Sequence, residues 1–113
     1  MNNKKRILKL LDLMQQLFNF INNSPEGFSG DMFFIKNKIL EIIQYLNELK
    51  VLNDENKLLV KLKEVKQYYY SLYPPRDGLT DFCIWHPNGE ERVKLNKPLR
   101  DVQKEINDIL IQI

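Results

Sequence analysis

The sequence predicts an all-α fold, a four-helix bundle-like single domain over residues 1–113. Three observations predict it. Four separate segments repeat apolar residues at three- and four-residue steps, the period of a helix with one buried face. Turn-formers and capping residues bound those segments, and helices with one apolar stripe each are satisfied by packing on one another. A chain of 113 residues also fits one domain and buries roughly 65–70% of its unfolded surface, enough for a core without staples.

In the first segment Ile7, Leu10, Leu11, Met14, Leu17, Phe18 and Ile21 share one face. Asn22-Asn23-Ser24-Pro25-Glu26-Gly27 then ends the helix with turn-formers. Ser29 or Asp31 supplies the cap of a second helix. Its stripe is Met32, Ile35, Ile39, Ile42, Leu46 and Leu49, widened by Leu40 and Ile43. Phe33 and Phe34 predict a first turn buried on more than one side. Asn53-Asp54 breaks the chain and caps a third helix carrying Leu58, Leu62, Val65, Tyr69 and Leu72. Pro74 disfavours helical geometry at Tyr73, so that helix stops there. Leu99, Val102, Ile106, Ile109 and Ile113 form the last stripe, with Pro98 suited to the first helical position. No internal repeat, low-complexity tract or linker is read along the chain.

An irregular aromatic and proline-rich loop, about residues 74–97, is expected between the third and fourth helices. It is long for a bare connection in a small bundle. Asp81 to Trp85 alternates in polarity, and His86-Pro87-Asn88-Gly89 suits a type I turn, so Glu90 to Leu95 could return as a hairpin strand. The preferred reading is extended chain followed by a short helix that Asn88 caps, with Glu90 and Glu91 favourable at its N-terminus. An isolated hairpin is marginal.

Composition narrows the function classes. The 17 basic side chains face 15 acidic ones, a balance short of the basic excess of nucleic-acid binders. A single cysteine makes no internal disulfide and fits a reducing compartment, so the expected location is cytoplasmic. Lys4-Lys5-Arg6 resembles the start of a signal peptide, but Lys9, Asp12, Gln15 and Gln16 interrupt the apolar run that should follow. No run approaches the ~18 apolar residues of a membrane span. Heavy use of Ile, Asn and Lys, with no alanine, reads as an AT-rich coding genome of a low-GC bacterium or its phage.

Catalytic and metal signatures are weak. Cys83 and His86 point to opposite faces of an extended strand, and no third residue orients the imidazole. A lone thiol between Phe82 and Ile84 reads as a small buried hydrophobe. One Cys and one His fall short of a metal site's three or four ligands. Asp77, Asp81, Glu90 and Glu91 lack the dense rhythm of a hard-cation loop, and the scattered glycines make no phosphate loop. The expectation is therefore no enzyme, no cofactor and no metal. A membrane-surface role for the first helix is equally weak, because its stripe matches the other three.

Partner recognition remains. Residues 68 to 92 concentrate Tyr, Trp and Arg, the residue types that anchor interfaces. Tyr73, Arg76, Trp85 and Arg92 are the candidate partner-binding residues. The competing reading makes the same loop a lid, with Leu79, Phe82, Ile84 and Trp85 sealing one end of the bundle. A second class is nucleic acid, held by Lys57, Lys61, Lys63 and Lys66 with Tyr68, Tyr70 and Tyr73 stacking on bases. Its plainer counterpart is a solvated lysine face, with tyrosines covering the bundle end and their hydroxyls reaching water.

The stretch Tyr73-Pro74-Pro75-Arg76-Asp77-Gly78-Leu79-Thr80-Asp81-Phe82-Cys83-Ile84-Trp85, followed by Glu90, Glu91, Arg92 and Asn96, resembles a motif of small bacterial helical domains of unknown function. In that family a P-P-R-x-G-L-[ST]-D/E-F-x-I-W-like segment precedes the final helix. The resemblance covers roughly the C-terminal third and implies no activity and no ligand residues. Asp77 and Cys83 fall at its variable positions. Together these readings lead to a non-enzymatic protein–protein interaction module, most concretely an immunity- or antitoxin-like protein that blocks a toxin. The alternative is a nucleic-acid-binding regulator.

Overall fold

A computed structural model describes residues 2–23, 32–73 and 87–113. Among these residues four helices follow in chain order: α1 (Asn3–Asn22), α2 (Met32–Leu49), α3 (Glu55–Tyr70) and α4 (Gly89–Leu110). Helices account for all regular structure among the described residues, and the architecture is an all-α bundle.

Three helix starts show the same device. Asn2 accepts from the backbone N–H of Lys5, Asp54 from Asn56 and Lys57, and Asn88 from Glu90 and Glu91. Each cap holds a donor that the first helical turn otherwise leaves unmatched. Glu55, Glu90 and Glu91 add negative charge where the helix dipole is positive. The candidate caps Ser29 and Asp31 lie outside the described residues.

Ile35, Ile39, Ile42, Ile43, Leu46 and Leu49 of the second predicted stripe and all residues of the other three enter or pack on one hydrophobic core, whereas Leu40 does not. α1 is the shared wall, touching each of the other three helices, while α2 also packs on α3. That position explains why α1 buries Leu13 in addition to its predicted stripe. With one residue every 100°, Leu13 and half-buried Phe20 extend its covered face to about half the circumference. α2 has neighbours on fewer sides, so Phe34 and Leu40 remain 58% and 44% exposed, contrary to the broad burial expected of that helix.

α4 corrects the predicted loop boundary. The loop does not run to residue 97, because the helix capped by Asn88 begins at Gly89 and continues through Leu110. The short helix and the fourth helix are one element, and Glu90 to Leu95 is helical, which removes the hairpin. Pro98 therefore sits inside α4 instead of opening it. An interior proline removes one N–H and crowds the carbonyl four residues back, here Lys94, at a cost of about 3 kcal/mol. One cap at Asn88 and the buried run Leu99, Val102, Ile106, Ile109 and Leu110 offset that cost by anchoring the helix on both sides of the proline. Buried Asn96 also turns its amide back one turn onto the Arg92 carbonyl at 2.7 Å.

No helix among the described residues is long and apolar enough to cross a membrane.

Candidate functional site on the α2–α3 face

A short connection, residues 50–54, turns α2 back so that α3 runs antiparallel beside it. Two crossed hydrogen bonds then join the helices. The Tyr45 hydroxyl of α2 donates to Glu64 Oε2 of α3 at 2.7 Å, and the Tyr68 hydroxyl of α3 donates to Glu41 Oε2 of α2. Each tyrosine lies four residues after its own helix's glutamate, one turn along the same face, so the arrangement has a local two-fold symmetry.

Those four side chains surround a cavity of about 290 Å³ whose floor is buried Ile42 and Val65. The sequence origin is a matched octet. Lys38-Ile39-Leu40-Glu41-Ile42-Ile43-Gln44-Tyr45 and Lys61-Leu62-Lys63-Glu64-Val65-Lys66-Gln67-Tyr68 share Lys, Glu, Gln and Tyr at equivalent positions. Ile39 pairs with Leu62 and Ile42 with Val65 in the same register, all four buried. The expectation of no internal repeat missed this pattern. It was findable, since K-x-x-E-[IV]-x-Q-Y occurs in full on both helices.

Electrostatics follow from the geometry. Tyr45 and Tyr68 are each pushed up to about 12, first by burial and then by the glutamate each one bonds. A phenolate beside a carboxylate is disfavoured, so both groups stay protonated donors. At the rim, the Lys38 ammonium lies 4.5 Å from the Phe34 ring centre and 5.4 Å from that of Tyr68, a cation–π contact with both rings.

The predicted site residues fall elsewhere. Tyr73 is half-buried after α3, and its hydroxyl shares a hydrogen bond with that of buried Tyr69. Their rings meet edge to face at 5.2 Å. Burial, then the neighbouring Tyr73, drives the Tyr69 hydroxyl far above its ordinary value; Tyr73 is raised by burial and brought part of the way back by its bond with Tyr69. Tyr70 donates to Asn107 Oδ1 of α4 at 3.0 Å. These hydroxyls therefore engage protein partners instead of simply reaching water. With Gln103, Lys104 and Asn107 the three tyrosines line a second cavity of about 490 Å³. Arg92 is half-buried in the second turn of α4, within a helix and not in a loop. Arg76 and Trp85, the lid residues Leu79, Phe82 and Ile84, and the Cys83 and His86 pair all lie outside the described residues.

The lysines proposed for nucleic acid do not share a face. Lys57 and Lys61 flank the buried stripe of α3 on the side of Tyr68 and Glu64, whereas Lys63 and Lys66 flank it on the side of Tyr70. Among the described residues no group of three or more His, Cys, Asp and Glu is placed to hold a metal ion.

Comparison of the chain with protein-family models, with curated proteins and with solved structures finds no match.

Proposed function

We propose that the protein acts by binding another protein, through the outward face of α2 and α3. One observation carries the reading: an open cavity with an aliphatic floor, walled by Tyr45 and Tyr68, adjoins a phenylalanine, Phe34, that is 58% exposed. Aromatic side chains grouped around a preformed hollow are the usual anchors of an interface, since they bring large contact area with few rotors to freeze. Here the phenols are already fixed by Glu41 and Glu64, so little ordering cost remains when a partner docks.

Nucleic acid fits this face less well. Glu41 is bonded by Tyr68 and Glu64 lies one turn after Lys61, where both would repel a phosphate chain. In the protein-binding reading the molecule is not an enzyme, and an immunity- or antitoxin-like protein of the cytoplasm is its most concrete form. That form rests on size and on a sequence poor in catalytic motifs.

The test is capture from an extract of the encoding organism by the wild-type protein and by Phe34→Asp. The wild type should retain one protein in stoichiometric amount, and the variant about tenfold less, the equivalent of roughly 1.4 kcal/mol. Equal retention would show that this face is not the docking site.

A further inference from the structure

We infer that the α2–α3 cavity receives one arginine side chain of the partner protein. The inference rests on the protein-binding reading above and specifies what the cavity takes.

Charge is the first argument. Glu41 and Glu64 stand on opposite walls, each engaged through Oε2 by a neutral phenol that bonds the carboxylate without neutralising it. The ion pairs among the described residues are Lys9–Glu105, Lys94–Glu91, Lys97–Asp101 and Lys104–Asp108, and none involves either glutamate. Lys38, one turn before Glu41, rests on the Phe34 and Tyr68 rings instead of closing an ion pair. Because α2 and α3 are antiparallel, Lys38 and its counterpart Lys61 fall toward the two ends of the groove. The centre of the groove is acidic, and Glu48 adds negative charge on the Tyr45 side. The raised tyrosine hydroxyls report the same negative field, after burial.

Shape is the second argument. At about 290 Å³ the cavity sits at the lower edge of the ~300–1,000 Å³ typical of small-molecule sites, room for one long side chain. An arginine stem can lie on Ile42 and Val65 while its planar head stacks on a phenol ring and donates to carboxylates. Five donors in a fixed fork serve two walls at once, which the compact and strongly hydrated ammonium of lysine does less well.

The test uses the whole protein and N-acetyl-argininamide as probe, with the neutral, similarly shaped N-acetyl-citrullinamide as control. NMR should show saturable shifts of the Ile42 and Val65 methyls with the arginine probe, at least about tenfold weaker with the citrulline probe and in the E41Q/E64Q variant. Circular dichroism on that variant verifies that its helices persist. Absence of saturable shifts, or equal response to the two probes, overturns the inference. Partner capture separates this failure from failure of the broader reading. Retention by E41Q/E64Q with loss by Phe34→Asp overturns the arginine inference and leaves the face intact; retention by both overturns both.

Discussion

Two pairs of tyrosines in this molecule have the same chemistry and opposite circumstances. Tyr69 and Tyr73 bond one another at the end of α3, with Tyr69 1% exposed inside the core. Tyr45 and Tyr68 bond carboxylates across the α2–α3 groove and remain half-exposed. The first pair is packing: the rings fill volume and one hydroxyl donates to the other. The second pair holds a hollow open at the surface, where the hydroxyls tether acidic groups and the rings form walls. A tyrosine's role here is set by its neighbours and its burial, and the run Tyr68-Tyr69-Tyr70 divides between the two roles within three residues.

The contrast can be broken most forcefully at Tyr69. Tyr69→Ala should destabilise the fold by about 3–5 kcal/mol, the cost of truncating a buried aromatic. Tyr68→Ala should cost only about 1–2 kcal/mol. Thermal melts of the two variants decide the matter, and equal losses would dissolve the distinction. A smaller effect is expected from the hydroxyl alone. Tyr69→Phe removes the shared hydrogen bond at a cost of about 1 kcal/mol, whereas Tyr45→Phe, at a half-exposed site, should stay within about 0.5 kcal/mol of wild type by urea titration.

Asn88→Ala should cost about 1 kcal/mol and fray the start of α4. Faster amide exchange at Glu90 and Glu91, the donors that Asn88 holds, would register it.

The gentlest probe is pH. An unfolded chain ionises its tyrosines near about 10, while Tyr45 and Tyr68 wait until about 12. Between those values the unfolded state binds fewer protons than the folded one, so stability is full below about 10 and falls as pH rises through about 12. Glu41→Gln should move the Tyr68 midpoint downward in a tyrosinate absorbance titration while leaving that of Tyr45 in place. A common shift of both tyrosines would mean that their environments are not separately set.

Much of the fold was legible because helical periodicity is a local property. Leu58, Leu62, Val65, Tyr69 and Leu72 mark a face whatever packs on it, and Asp54 and Asn88 announce their caps by side-chain chemistry. What periodicity does not carry is the number of neighbours a helix has. That is why Leu13 was missed on α1 and why Phe34 and Leu40 were expected inside. The long reach of α4 was hidden by Pro98, a residue that marks a helix start in isolation and is tolerated inside when a good cap precedes it and a buried run follows.

Less of the site was legible. The concentration of Tyr, Trp and Arg in residues 68–92 favours Tyr73, Arg76, Trp85 and Arg92, while the groove is built from Glu41, Tyr45, Glu64 and Tyr68. Those are ordinary helix-surface residues, made distinctive only by recurring at matched positions on two helices that fold against each other.

The central claim is that the α2–α3 groove is a binding face whose tyrosines are dispensable to the fold. Tyr68→Ala tests it most directly, by the affinity of the folded variant for the partner that the wild type captures. The account predicts a loss of about tenfold or more with the helical bundle intact. Wild-type affinity in that variant would contradict it.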